Sequence, residues 1–365
     1  MEHIYIYGAG NYGTKLLRII DIYYSKNISV DAFIDREKEG EINGVKITKL
    51  DFVSTDVIIV IALKHINIAM NVYRDLSRKG YSCLWFFLDE KDVKGDFFKD
   101  QCINCQLWDR GVLPQVEMHI MDACNLNCRG CSHFSPIFPM NFPDFQSKIN
   151  DVKALKSKIG HVEKFFILGG EPFLNPEIGD YSLEISKILP DSQLWIVSNG
   201  LLIPKVDECI LEKIKQSKAS ISISEYKPTH LIIESIEERL SDFEIKYEIR
   251  RLESRSKFNL PLSISNRTSK EKLCISDGCV TIWNGMISRC PTLMYIEYFN
   301  EVFRTTLPSD GRYSLYDTND NEINGWELVD KMKERVPLCD HCVSNEIEWE
   351  TCGRHPLLSD FACEN

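Results

Sequence analysis

The stretch QVEMHIMDACNLNCRGC, residues 115–131, decides the fold: a strand-like run ends at Asp122, and Cys124, Cys128 and Cys131 follow at once as C-x3-C-x2-C. A strand that feeds a cysteine loop at the head of a strand and helix series puts those thiols at the C-terminal mouth of the sheet, where barrel folds carry their chemistry. Three thiolates so closely spaced can cap three irons of a [4Fe-4S] cluster, leaving the fourth iron open to a small molecule. The alternatives are zinc, which closes structural sites with four ligands, and buried free thiols.

Further strands are predicted at VEKFFILGG (162–170), QLWIVSNG (193–200), ASISISEY (219–226) and FEIKYEIRR (243–251), with helices at 205–218 and 229–243 between them. Five such units in about 140 residues predict a curved, incomplete (β/α) barrel, since a closed eight-stranded one needs roughly 200 residues or more. The second strand ends in LGGEP (Gly169, Gly170, Glu171, Pro172) and the third in SNG (Ser198, Asn199, Gly200). These ends belong at the same mouth as the cysteines.

Taken together, these motifs resemble the radical S-adenosylmethionine (radical SAM) superfamily over about 115–251. The resemblance implies that Cys124, Cys128 and Cys131 bind the cluster and that SAM chelates its open iron. Gly169 and Gly170 would let the backbone approach the methionyl part of SAM, Glu171 would accept a hydrogen bond from its ammonium, and Pro172 would fix the turn. Ser198 and Asn199 are candidates for the ribose or sulfonium region, and Ser222 or Ser224 for the ribose or carboxylate. The chain departs from the family at Gly130, where an aromatic residue often packs near the adenine; Phe134 or His133 are the substitutes. The implied chemistry is reductive cleavage of SAM to a 5'-deoxyadenosyl radical that abstracts hydrogen from a C–H bond, with a flavodoxin or ferredoxin as reducing partner.

After about Leu260 the periodicity weakens and seven cysteines appear: Cys274, Cys279, Cys290, Cys339, Cys342, Cys352 and Cys363. The spacing C-x10-G-x4-C from Cys274 through Gly285 to Cys290, followed by CDHC, is similar to the SPASM/twitch extension of radical SAM enzymes, which binds auxiliary iron–sulfur clusters. The usual C-x5-C-x3-C continuation is absent. One auxiliary [4Fe-4S] cluster is expected on Cys290, Cys339, Cys342 and either Cys274 or Cys279. Cys352 and Cys363, with Cys102 and Cys105 of CINC, hold a second cluster or zinc, or are free thiols. Cys83 and Cys209 are read as core residues. VTIWNGMISRC has the alternation of a hairpin turning at Asn284–Gly285.

At the N-terminus, YIYGAGNYG supplies Gly8, Gly10 and Gly13 as G-x-G-x-x-G between a strand and a helix, with Asp35 about twenty residues on, where dinucleotide-binding folds place a ribose-binding acid. The glycines either admit a phosphate to the helix N-terminus or serve only the turn. Over about 1–88 the pattern resembles the N-terminal domain of bacterial sugar-nucleotide acyltransferases, which implies a nucleotide-linked sugar or glycan substrate. The expected organisation is α/β throughout: a Rossmann-like domain at 1–95, a linker at 96–114, the incomplete radical SAM barrel at 115–260 and a cysteine-rich Fe-S extension at 261–365.

The chain has 365 residues, 14 cysteines and a net charge of −11. The acidic balance argues against nucleic acid as a partner. No run of roughly 18 apolar residues suggests a membrane span, and no signal peptide is read at the N-terminus, so a cytoplasmic protein is expected. The run 250–272 has seven basic and two acidic residues, so Arg250, Arg251 and Arg255 could meet SAM's carboxylate or a substrate phosphate, or lie on a solvated loop. His119, His133, Glu225, Tyr226 and Arg250 are the candidate polar groups at the mouth, with His119 and Glu225 foremost for proton transfer. The reading is a radical SAM oxidoreductase or epimerase acting on a sugar, nucleotide-sugar or glycan, with a peptide-modifying maturase and a non-catalytic iron–sulfur electron-transfer protein as alternatives.

Overall fold

The computed structural model describes residues 1–88, 96–252, 256–265, 274, 278–316 and 325–363. Two compact units are formed, Met1–Asp109 and Arg110–Asn365, in place of the boundaries expected at 95, 114 and 260.

The first unit is a seven-stranded sheet with the order β3-β4-β2-β1-β5-β6-β7. Its strands are β1 (Glu2–Tyr7), β2 (Ile28–Ile34), β3 (Glu41–Ile42), β4 (Val45–Thr48), β5 (Ile58–Ile61), β6 (Leu84–Phe87) and β7 (Cys102–Asn104). β2, β1, β5 and β6 run parallel, linked by helices α1 (Asn11–Ile19) and α2 (Ile66–Arg78). Leu16 and Leu17 of α1 pack on Ile4, Ile6, Phe33 and Val60 of the sheet. Part of the expected linker belongs to this unit. Asp96 caps α3 (Phe97–Gln101) by accepting from the Phe98 and Lys99 N–H groups, β7 pairs antiparallel with β6, and Cys102, Cys105 and Trp108 are buried.

The second unit is built on an eight-stranded sheet, order β12-β11-β10-β9-β8-β14-β15-β16. Five parallel strands come from the expected barrel: β8 (Val112–Met121), β9 (His161–Gly169), β10 (Gln193–Ser198), β11 (Ser220–Ser224) and β12 (Tyr247–Arg250). Helices α4 (Phe145–Lys158), α5 (Ile178–Ile188), α6 (Glu208–Gln216), α7 (Lys227–His230) and α8 (Ile233–Asp242) lie between them. Asp144 caps α4 through the Ser147 N–H and Asp207 caps α6 through the Cys209 N–H, contacts of the kind that contribute about 1 kcal/mol each. The last of these strands is shorter than expected, because α8 runs to Asp242 and the chain turns through Glu244 at φ +54°.

The remaining strands are β13 (Lys257–Ser263), β14 (Val280–Trp283), β15 (Met286–Ser288), β16 (Arg312–Ser314), β17 (Cys342–Glu348) and β18 (Ala362–Cys363). β14 and β15 form the predicted hairpin, with Asn284 and Gly285 at φ +47° and +76°. β14 also pairs in parallel with β8, Ile282 opposite Met118. Through β14, β15 and β16 the cysteine-rich tail thus extends the barrel sheet, and it belongs to the same compact unit. β13 leaves that sheet and pairs with β17 and β18, over a core of Phe134, Leu262, Tyr295, Phe299 and Phe361. Among the described residues no helix is long and apolar enough to cross a membrane.

A Cβ on Gly13 would stand 1.9 Å from the Gly8 carbonyl oxygen. Gly13→Ala is expected to destabilise the protein by about 1–3 kcal/mol through overpacking, read as a lower thermal midpoint with no ligand added; an unchanged midpoint would show that the glycine is not needed for packing.

Candidate functional site

Strand register brings the site together. Met121 pairs with Gly169, Ser198 with Ile223, and Ser224 with Arg250, so these strands finish at one edge of the sheet. There a cavity of about 380 Å³ is lined by Cys124, Cys128 and Cys131, by Gly169 and Gly170, by Ser198 and Asn199, and by Ser224 and Arg250. Residues expected at the mouth from five separated segments therefore share one hollow.

The glycines are there because β9 presses against the end of β8. A Cβ on Gly169 would lie 1.9 Å from the Met121 oxygen, and one on Gly170 2.1 Å from the Ala123 oxygen. Glu171 does not line the cavity. It is fully buried, and its carboxylate accepts from the Phe173 N–H at 3.1 Å, the Ser198 hydroxyl at 2.8 Å and the Asn199 N–H at 2.9 Å. Its place is beneath the rim, tying the turn after β9 to the turn after β10. Pro172 begins the short helical turn that follows.

Each thiol has a hydrogen-bond donor. The Leu126 N–H and the Asn199 amide approach Cys124 Sγ at 3.4 and 3.8 Å, and the Trp349 indole N–H reaches Cys128 Sγ at 3.1 Å. Burial pushes the Cys124 thiol up to about 12 and Cys128 up as well. Burial also raises Cys131, but the hydrogen bond and charge of His133, together with the His133 and Ser135 backbone N–H groups, outweigh it and hold that thiol below its ordinary value. For His133 burial is outweighed by Glu117 and Cys131, which raise it to about 10; its Nε2 stands 3.2 Å from Glu117 Oε1. Gly130, at φ +71°, has no room for a side chain, since a Cβ would meet the Asn259 oxygen at 2.7 Å. The backbone of β13 fills the space that an aromatic residue was expected to use.

Several expected residues point elsewhere. His119 is fully buried, its ring stacked on Tyr295 at 4.5 Å and its Nδ1 at 2.9 Å from Asp122; burial lowers its pKa below the ordinary value. The Glu225 carboxylate is taken by His230 and by the Leu252 N–H, each at 2.8 Å. Neither lines the cavity. Ser222 bonds Glu248 at 2.8 Å and accepts from Arg250 Nε at 3.0 Å, and Phe134 is in the core. His133, Tyr226 and Arg250 do line the cavity. Arg251 pairs with Glu237 at 3.7 Å, and Arg255 lies outside the described residues. Sequence reading missed Lys257, Phe258, Asn259 and Pro261 of β13 as lining residues. A strand carried over the mouth from outside the parallel series leaves no spacing signal.

The second cysteine set converges as well. Cys274, Cys290, Cys339 and Cys342 line one small enclosed cavity walled by Leu262, Leu293, Val336 and Leu338. Burial raises the Cys290 thiol to about 12. Cys279 does not line this cavity; its Sγ accepts from Gln115 Nε2 at 3.0 Å. Among the described residues no three His, Cys, Asp or Glu side chains are grouped to hold a single metal ion. Cys102 and Cys105 are core thiols of the first unit, raised well above the ordinary value by burial. Cys83 and Cys209, expected inside, are exposed. Cys83 precedes β6, and Cys209 stands in the first turn of α6, whose buried residues are Leu211 and Ile214. Cys363 Sγ contacts the Leu262 oxygen at 3.6 Å.

In the first unit Gly8 adopts φ +111°, and the loop N–H of Ala9 is taken by Asp35 at 2.9 Å. The Glu37 and Lys38 N–H groups also donate to this carboxylate, both at 3.0 Å. Burial opposes its charge, but these donors hold it below the ordinary range. Asp35 thus braces the glycine turn that it was expected to serve beside. A neighbouring cavity of about 520 Å³ is lined by Tyr7, Asp35, Arg36, Lys49 and Lys79 and not by Gly8, Gly10 or Gly13.

The second unit is thus an α/β domain whose five parallel strands β8–β12 present three thiols, a double glycine and a serine–asparagine turn at adjoining strand ends. Residues 118–250 match the family model described as the radical SAM superfamily, so the chain carries a domain of that superfamily. Among curated proteins it is similar to GTP 3',8-cyclase of Limosilactobacillus fermentum, 30% identical over 115 residues, covering 31% of this chain and 34% of the relative. It is also similar to GTP 3',8-cyclase of Microcystis aeruginosa, 26% identical over 104 residues, covering 27% and 31%. The chain therefore spans about a third of the length of these relatives. Solved structures similar to it include BtrN in complex with AdoMet and 2-DOIA (12% identity, 62% of this chain, 84% of that chain, TM-score 0.34). Another is polyhistidine-tagged anSMEcpe with bound AdoMet (19%, 38%, 43%, 0.31).

Burial raises Glu171 from 4.5 to about 7 against the pull of its three donors. A carboxyl raised in the folded state contributes stability below the unfolded pKa, and that contribution is lost as pH climbs through about 7. The shift corresponds to a loss on the order of 3 kcal/mol. The thermal midpoint is expected to fall between pH 5 and 8, and Glu171→Gln, which mimics the neutral acid, to flatten that fall; identical slopes would remove Glu171 as its source.

Proposed function

We propose that the protein is a radical SAM enzyme in which Cys124, Cys128 and Cys131 hold a [4Fe-4S] cluster and the adjoining cavity holds SAM. The observation that carries this reading is the convergence of those three thiols with Gly169, Gly170, Ser198 and Asn199 on one cavity. The fit is chemical as well as spatial. All three donors are cysteine sulfurs, each with a hydrogen-bond donor that offsets thiolate charge, and the glycine pair removes the side chains that would fill the cradle. When bound, the cluster and SAM together supply reductive cleavage to a 5'-deoxyadenosyl radical and hydrogen abstraction from a substrate C–H bond.

The chain's own residues do the rest. The backbone at Gly169–Gly170 offers its polar groups to the amino-acid end of SAM, and Ser198 and Asn199, braced by Glu171, face its middle. Ser224 and Tyr226 line the next part of the wall, toward Phe258. Arg250 and Lys257 put positive charge on the same cavity and favour a carboxylate or phosphate there. β13 supplies a further wall of the cavity through Lys257, Phe258, Asn259 and Pro261.

Cys274, Cys290, Cys339 and Cys342 are proposed to hold one auxiliary [4Fe-4S] cluster, four thiolates being enough to close it. A sugar, nucleotide-sugar or glycan is the substrate class, on the resemblance of residues 1–88 to the domain of sugar-nucleotide acyltransferases and on the cationic wall of the cavity; oxidation or epimerisation is the reaction. A flavodoxin-type or ferredoxin-type reductant is the electron source.

Anaerobically reconstituted protein, reduced in the presence of SAM, is expected to release 5'-deoxyadenosine, and Cys128→Ala to release none. A fully loaded wild-type sample that releases none would sink the enzyme reading and leave an electron-transfer protein. Iron and sulfide analysis is expected to lose about one cluster per chain in Cys290→Ala and none in Cys279→Ala. Equal loss in both would reject this ligand set.

A further inference from the structure

We propose that Trp349 is a positioning residue for the first cysteine set: its indole N–H donates to the Cys128 sulfur and so raises the reduction potential of the cluster bound there. This rests on the reading that Cys124, Cys128 and Cys131 hold a cluster. The contact is 3.1 Å long and buried, with Trp349 6% and Cys128 8% exposed.

Trp349 comes from the far end of the chain, immediately after β17, and is held firmly. Its backbone N–H donates to the Ser256 oxygen at 2.8 Å, and its ring stacks on Tyr226 with centroids 5.4 Å apart and planes 23° from parallel. The segment that follows is laced to the cysteine loop. The Arg129 N–H donates to the Glu350 oxygen at 2.9 Å, and the Cys352 N–H to the Asn127 oxygen at 2.7 Å. Cys128 forms an antiparallel bridge with Thr351. The Arg129 guanidinium spans Glu350 at 3.2 Å and Asp360 at 3.1 Å. The indole is thus fixed over one chosen sulfur by contacts on both sides of it.

A buried indole N–H needs an acceptor, and a neutral thiol is a weak one. A metal-bound thiolate carries charge and makes the same hydrogen bond stronger. The bond stabilises negative charge on the sulfur, and reduction adds negative charge to the cluster. It therefore favours the reduced state, as hydrogen bonds to cluster sulfurs do in general. Packing alone would be served as well by phenylalanine, which has no N–H; the potential distinguishes the two roles.

The test uses full-length protein reconstituted with iron and sulfide, in a Cys290→Ala background so that only the first set is loaded. The reduced-cluster EPR signal is followed during a mediated redox titration without SAM. Trp349→Phe is expected to move the midpoint to a more negative potential with unchanged iron content. An unmoved midpoint would overturn the proposal. Should the variant fail to take up iron, wild-type protein labelled with indole-15N tryptophan gives an independent reading. A 15N coupling to the reduced cluster supports the contact, and its absence overturns it. A wild-type protein that takes up no cluster at the first set defeats the functional reading itself, which is a separate result.

Discussion

The close approach of β9 to the end of β8 is the contact on which the rest of the site depends. Met121 and Ala123 present carbonyl oxygens where Cβ atoms on Gly169 and Gly170 would otherwise stand, at 1.9 and 2.1 Å. The Gly170 and Glu171 N–H groups then close hydrogen bonds to those same oxygens, at 2.8 and 3.0 Å. Two backbones locked at this distance set the height at which the cysteine loop leaves β8 and the floor of the cavity beside it. Any side chain larger than hydrogen would push the two strand ends apart and remove the seat of Cys124 together with the wall opposite it. The glycines are therefore required by the packing of the two strand ends alone.

Glu171 extends that lock sideways. A carboxylate with no exposed surface is costly unless hydrogen-bonded, and here its oxygens gather donors from its own turn and from the turn after β10. Burial raises its pKa while the donors favour the charged form, so the group sits between two states near neutrality. The arrangement trades some stability for a fixed relation between Gly170 on one strand end and Ser198 and Asn199 on the next. Asn199 passes the constraint on: its amide reaches Asn125 Oδ1 at 2.7 Å, back in the cysteine loop. Three motifs that are far apart in sequence are thus one hydrogen-bonded ring around the cavity.

What was legible in the sequence follows from these local rules. Strand ends carrying cysteines, glycines, or serine and asparagine were readable because a parallel α/β series places successive strand ends on one edge. The Asn284–Gly285 turn was readable because few other pairs accept two positive φ values. Roles that depend on where a side chain turns were not. His119 and Glu225 have the chemistry of proton-transfer groups, but one stacks on Tyr295 and the other is spent on His230 and Leu252. Gly130 looked like a missing aromatic because β13, whose Asn259 oxygen takes that space, pairs through long-range contacts with β17 and β18. Linker and core assignments failed for the same reason: β7 joins the first sheet by pairing with β6, and Cys209 lies on the outward side of a helix turn.

The two cysteine sets are not independent. Ser132 and Pro261 line both cavities, and the Ser132 oxygen accepts from Thr292 Oγ1 at 3.3 Å, two residues beyond Cys290. The first set therefore passes from Cys131 directly into a residue that walls the second, and β13 forms the other shared wall. This explains why the cysteine-rich tail is built into the barrel unit through β14 and β8. A tail docked as a separate body could shift against the barrel, whereas one paired into its sheet holds the second cavity at a fixed place behind the first. The short-range order of the tail, with its weak periodicity, is then compensated by anchoring at three points: the β8 pairing, the shared wall at Ser132 and Pro261, and the segment from Trp349 to Asp360 that grips the cysteine loop from outside.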